Sequence, residues 1–326
     1  MTRFKRSALL LALLLIVSLL AGGCRTASSG GQSRQHKIYL VVKSTETEFW
    51  KSAFAGANAA RAEYNAELTI LGPDTEEDYE TQNEMIAMAV EDGAEAIVFS
   101  AISYEENAAA IDAAAQAGVK IVVIDSDVDS DMVNVRIGTD NVQAGRMTGT
   151  AVLDTDEESL TVGIVNFALG SRNGQEREEG LREILEQDPR VADIFTVNVA
   201  ATPEAARDGA LRLLTDHPEI NILVGLNEPL AVGTGLAVAK SGLTGRVRVV
   251  GFDTNVQCVD MMRDGVFSAL IAQNPYAMGY LGVECAYRIL EGESFDPASW
   301  LDTSTTIVTQ ENMFTPEGQK ALFSFG

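Results

Sequence analysis

From Lys37 onward, short apolar runs alternate with longer stretches in which apolar residues recur every three to four positions. The runs predict strands at Lys37–Val42, Leu68–Leu71, Ala96–Ser100, Lys120–Asp125 and Asn134–Gly138. Between them, Phe49–Tyr64, Glu76–Asp92 and Glu105–Gly118 have helical spacing, and Gly118 supplies a C-terminal stop. After Asp140-Asn141 the cycle restarts. Strands are predicted at Leu160–Phe167, Asp193–Val199, Asn221–Leu226, Val247–Phe252 and Phe267–Ala272. Helices are predicted at Val142–Leu153, Gly174–Gln187, Pro203–Asp216, Pro229–Ser241 and Val256–Asp264. A helix over Ala277–Glu291 and a strand over Thr305–Thr309 follow. Alternation of this kind predicts parallel sheets with helices on both faces.

The pattern is written twice. Val122-Val123-Ile124 runs into Asp125, and Val249-Val250-Gly251-Phe252 runs into Asp253. Earlier strands end 25 and 26 residues before these aspartates, at Ser100 and Asn227. The expected fold class is therefore α/β, with two similar doubly wound parallel-sheet lobes. Ligands of open α/β sheets sit beyond the carboxyl ends of the strands, so two such edges facing each other predict a cleft. Polar residues follow nearly every apolar strand: Lys43-Ser44, Ser100, Asp125, Asp140-Asn141, Asn166, Asn227-Glu228, Asp253 and Gln273-Asn274. One such residue is ordinarily a helix cap. So many on one edge of two sheets point to a site for a small polar ligand.

Phe49-Trp50 stands where the first helix begins, and two adjacent aromatics cannot both face one core from there. One is expected to pack inward and the other to cap the cleft, offering a face to the apolar side of a sugar ring. Arg177 lies in the first turns after the strand Leu160–Phe167 and is expected to point at the same cleft.

The first 23 residues read as a targeting segment: Arg3, Lys5 and Arg6, then the apolar Leu9–Leu20, then Ala21-Gly22-Gly23 before Cys24. This resembles a bacterial lipoprotein signal, with Cys24 as the lipidated residue. Residues 24–36 are Ser- and Gly-rich and read as a flexible tether. The whole chain carries a formal charge of −23, which becomes −26 once the three basic residues of the signal are removed. Such a surface repels nucleic acid. Histidines occur only at 36 and 217, and there is no G-x-x-x-x-G-K-[ST] loop, so no Ser-His-Asp site, histidine-rich zinc site or phosphate loop is expected. Cys258 and Cys285 are expected in different lobes as buried free thiols. No cofactor or metal is expected, and a monomer is.

Together the residues resemble the bacterial sugar-binding proteins of the ribose and galactose type, the extracytoplasmic receptors of ABC importers. The resemblance runs from about Ile38 to Met313. It is carried by Phe49-Trp50, Val123-Ile124-Asp125, Ile137-Gly138-Thr139-Asp140-Asn141, Glu176-Arg177, Gly225-Leu226-Asn227-Glu228, Val250-Gly251-Phe252-Asp253 and Ile271-Ala272-Gln273. It implies two lobes joined by three crossings, near Asp140-Asn141, Gln273-Asn274 and Ser299-Asp302. The first lobe would hold 37–140 and 274–298, the second 141–273 and 299–326. The implied ligand contacts are Phe49, Trp50, Asp125, Asp140, Asn141, Arg177, Asn227, Asp253 and Gln273. The chain departs from the ribose pattern. Thr47-Glu48 stands where Asn-Pro is usual, Ser126 replaces an arginine, and an aromatic near Glu204 is missing.

The expected function is that of a membrane-anchored, extracytoplasmic solute-binding lipoprotein that captures a small polar ligand, foremost a monosaccharide, for an ABC permease, with no enzymatic activity. Two other readings use the same features: a receptor presenting a sugar or signalling molecule to a membrane kinase, and a carboxylate-based glycosidase using Asp125 and Asp253.

Overall fold

The computed structural model describes residues 35–167, 169–296 and 300–323. The expected signal, the tether and Cys24 lie outside them, except for the tether's last two residues. His36–Gly326 form one compact unit, within which two sheets, each covered on both faces, make the two lobes.

Among the described residues the first sheet is built from β1 (Lys37–Val41), β2 (Glu67–Leu71), β3 (Ala96–Phe99), β4 (Lys120–Ile124) and β5 (Val135–Gly138), with β11 (Trp300–Asp302) on its edge. The second uses β6 (Leu160–Asn166), β7 (Val191–Asn198), β8 (Ile222–Gly225), β9 (Arg248–Phe252), β10 (Phe267–Ala272) and β12 (Thr306–Thr309). The spatial orders β2-β1-β3-β4-β5-β11 and β7-β6-β8-β9-β10-β12 are the same winding carried out twice. All pairings are parallel except β10 with β12. Central strands such as β3, β6 and β8 are buried along their whole length, as a sheet covered on both faces requires.

The helices are α1 (Glu48–Glu63), α2 (Tyr79–Glu91), α3 (Ala108–Gln116), α4 (Asn141–Leu153), α5 (Arg172–Leu185), α6 (Pro203–Asp216), α7 (Glu228–Lys240), α8 (Val256–Arg263), α9 (Pro275–Leu290) and α10 (Pro316–Leu322). Side chains cap many of them: Thr47 accepts from the Trp50 amide, Asn227 from Leu230, Asn274 from Ala277. Helix α9 returns to the first lobe and packs on α1, where Met278, Val283 and Cys285 join the core around Trp50. Cys258 belongs to the second lobe's core, and both cysteines are free and buried.

One expected boundary moves. The third crossing was placed at Ser299–Asp302 and residues 299–326 in the second lobe. Trp300–Asp302 instead pair in parallel with Arg136–Gly138, as the edge strand of the first sheet. The chain changes lobes between Asp302 and Thr306, where Ser304 has φ +62°. Helix α10 was not foreseen.

Candidate ligand-binding cleft

The two sheets meet at their carboxyl edges around a cavity of about 290 Å³ including its opening. Asp125 and Asp253, the two strand-end aspartates, occupy matching places. Each has a left-handed backbone, φ +59° and +68°, rare for a non-glycine residue. Each is held there by its amide, which donates to Ile137 O at 3.1 Å and to Ile271 O at 2.9 Å respectively. The sharp turn aims both carboxylates into the cavity instead of along the strand.

The carboxylates are fixed from both sides. Ser100 Oγ donates to Asp125 Oδ2 at 2.9 Å, and Asn173 Nδ2, from the other lobe, donates to Oδ1 at 3.2 Å. Gln273 Nε2 donates to Asp253 Oδ1 at 2.8 Å. Burial pushes the Asp253 carboxyl up to about 7, while the nearby Arg177 charge and the Gln273 hydrogen bond oppose the rise.

Arg177 is 2 % exposed and spends three of its five N–H donors within the protein. Nε donates to Asn141 Oδ1 at 2.9 Å, Nη1 to Leu226 O at 2.9 Å and Nη2 to Gln273 Oε1 at 3.0 Å. Its guanidinium lies over the Phe252 ring, 4.4 Å from the centroid, and Nη2 is 4.0 Å from Asp125 Oδ1. Burial lowers its pKa, with Asp253 and Asp125 acting against that shift. Its place is set by helix packing. α4 and α5 cross so closely that a Cβ on Gly145 would collide with the Arg177 carbonyl, and one on Gly180 with the Val142 carbonyl. Every hydrogen-bond partner of the guanidinium belongs to the second lobe, so it is rigid before anything enters the cleft.

The first lobe contributes Lys43, Phe49, Trp50 and Glu76 to the walls. Trp50 is 1 % exposed and packs in the first lobe's core; its indole N–H donates to Glu76 Oε1 at 3.1 Å. Phe49 meets it edge to face, centroids 5.0 Å apart. Across the cleft, Glu228 accepts the backbone amides of Glu48 at 3.2 Å and Phe49 at 2.6 Å, and Asn255 Nδ2 at 2.8 Å. A second-lobe carboxylate therefore caps the N-terminus of a first-lobe helix. Burial raises its pKa, and the hydrogen bonds from Phe49, Asn255 and Glu48 oppose this. Tyr104 N donates to Gly170 O at 2.8 Å, another contact between the lobes. The conformation is closed.

Of the nine residues expected at the site, Phe49, Trp50, Asp125, Arg177, Asn227, Asp253 and Gln273 line the cavity. Asn141 stands behind Arg177 as its hydrogen-bond partner. Asp140 does not line the cavity: it is exposed and accepts the Gln143 amide as the N-cap of α4. Lys43, Thr47, Glu76, Phe167, Asn173, Glu228 and Pro229 complete the lining and were not among the nine. Lys43 and Glu228 stand at strand ends in the sequence; Glu76 lies in the turn before α2 and Asn173 in the first turn of α5, where no sequence pattern marks them.

Residues 38–294 match the family described as the periplasmic binding protein domain. The chain belongs to that family. Among other periplasmic binding proteins, it is 26 % identical over 270 residues to a D-ribose/D-allose-binding protein of Pseudomonas aeruginosa, covering 79 % of this chain and 83 % of that one. It is 25 % identical over 266 residues to a ribose import binding protein of Bacillus subtilis, covering 82 % and 85 %. A carbohydrate transporter solute-binding protein of Agrobacterium radiobacter, solved with D-arabinose, superposes with TM-score 0.86 at 26 % identity, over 89 % of this chain and all of that one.

Proposed function

We propose that this periplasmic binding protein captures a neutral monosaccharide in the interlobe cavity and delivers it to an ABC importer, tethered outside the cytoplasm through a lipid on Cys24. The observation that carries the reading is the cavity's composition. Two carboxylates on left-handed turns, one immobilised guanidinium and an aromatic wall converge on a space at the small end of ligand sites. Hydroxyls both donate and accept, so a ring rich in them uses carboxylates and guanidinium at once, while its C–H face rests on Phe49. Relatives named for ribose and allose, and a structural neighbour holding arabinose, support the same class. Nothing in the arrangement calls for chemistry on the ligand.

The test is thermal denaturation of residues 36–326 against aldopentoses, aldohexoses, polyols and small signalling molecules. A ligand at 100 times its Kd should stabilise the protein by about 2.7 kcal/mol. No stabilisation by any sugar at millimolar concentration would refute the proposal.

A further inference from the structure

We infer that Lys43 and Glu76 act together as the specificity-determining pair of the cleft, reading adjacent hydroxyls of a neutral ligand; the inference rests on the sugar-binding reading above. Lys43 follows β1 and is 2 % exposed. An ammonium has three N–H donors. Here one donates to Ser171 Oγ at 3.2 Å; Glu76 Oε2 lies at 3.3 Å as an ion pair without hydrogen-bond geometry, and the Phe167 ring centroid at 5.0 Å. Glu76 is equally incomplete: Oε1 accepts from Trp50, while Oε2 faces only the ammonium. A buried ion pair is costly unless further hydrogen bonds fill its remaining valences. In this pair those valences are open, and both side chains line the cavity.

The charge around the pair selects what can fill them. Glu76 compensates Lys43, and Asp125 and Asp253 surround Arg177, with Glu228 beside them. A phosphate or carboxylate would enter a cavity already supplied with acids. A neutral molecule with neighbouring hydroxyls meets both needs: one oxygen accepts from Lys43 Nζ and the next O–H donates to Glu76 Oε2. Glu76 also holds the Trp50 indole, so the polar pair and the aromatic wall share one register.

The test uses the full-length protein, Lys43→Met and Glu76→Gln, titrated calorimetrically. The probes are D-ribose, D-arabinose, D-xylose, D-lyxose, D-glucose, D-galactose and D-allose, with D-galacturonate and ribose 5-phosphate as anionic probes. The parent should bind a neutral aldose and discriminate against its epimers. Each variant should lose about tenfold or more for the preferred sugar, the loss of a hydrogen bond to a charged group, and should narrow the ratio between that sugar and its epimers. Glu76→Gln, with its ammonium uncompensated, should gain on the anionic probes relative to the parent. It keeps an acceptor for Trp50, so it decides the matter should Lys43→Met not fold. Unchanged affinities overturn the inference, as does a uniform loss with epimer ratios intact, which would assign the pair to lobe closure through Ser171. A parent that prefers the sugar acid overturns it as well. If the parent binds no neutral aldose, the proposed function falls and this inference with it; binding that the variants leave untouched sinks the inference alone.

Discussion

Replacing Arg177 should destabilise the protein even with the cleft empty. Arg177→Met removes the donor from Asn141 Oδ1, Leu226 O and Gln273 Oε1, and removes the cation facing Asp125 and Asp253. Breaking a buried ionic network by deleting one partner costs about 3–5 kcal/mol. That range is a large share of the about 5–15 kcal/mol by which a domain is stable. Arg177→Lys keeps the charge but lacks the planar fork, so it should recover only part of the loss. The assay is equilibrium urea unfolding of the parent and both variants without ligand, followed by far-UV circular dichroism. The expected order of midpoints is parent, then Lys, then Met. A Met variant within about 1 kcal/mol of the parent that nevertheless fails to bind sugar would refute the reasoning. It would mean that the guanidinium is organised by the ligand and not by Asn141, Gln273 and the Leu226 carbonyl.

Asp253→Asn should change how stability depends on pH. The folded carboxyl at about 7 lies some three pH units above its ordinary value of 3.8. The parent is therefore unpenalised below the unfolded value and loses up to about 4 kcal/mol as pH rises toward and through 7, at 1.36 kcal/mol per unit. Urea midpoints from pH 4 to 8 should fall more steeply in the parent than in Asp253→Asn, and parallel curves would contradict this. Glu228→Gln should put an amide N–H₂ against the backbone amides at the start of α1, raising sugar dissociation rates about tenfold or more in stopped-flow fluorescence; unchanged rates would show that the contact does not hold the lobes shut. Cys24→Ser should release the protein from membranes with sugar affinity intact, checked by fractionation; a variant that still carries lipid would remove Cys24 as the anchor.

Much of this architecture is legible in the sequence because a doubly covered strand leaves an unmistakable apolar run, and the residue closing it lands on a known edge. Asp125, Asn227, Asp253 and Gln273, all lining the cavity, are residues of this kind. The sequence aims Arg177 at the cleft but does not show its depth: a long polar side chain in a helix's first turns reads as exposed until the α4–α5 crossing buries it. Asp140 and Asn141 look equivalent in the sequence, as neighbouring polar residues at a strand end, whereas the helix they start uses Asp140 as an exposed cap and buries Asn141. Of the aromatic pair, Trp50 is the one that enters the core, since α9 arrives from more than 200 residues away to cover it. β11 is three residues long and borrows its pairing from β5, so no local period announces it. Glu76, in the turn before α2, and Asn173, in the first turn of α5, reach the cavity through placements that only the tertiary structure decides.

The way α9 and β11 return to the first lobe bears on how this chain is made. Met278, Val283 and Cys285 complete a core whose other half was laid down from Ile38 onward, and β11 closes the sheet edge only at Asp302. The first lobe thus cannot mature when its own first hundred residues have been synthesised. It waits, with α1 and β5 uncovered, until the entire second lobe has followed. Contacts this distant in sequence form slowly. In order of synthesis, the first lobe's leading segment is thus also the portion that cannot fold tightly before the tail arrives.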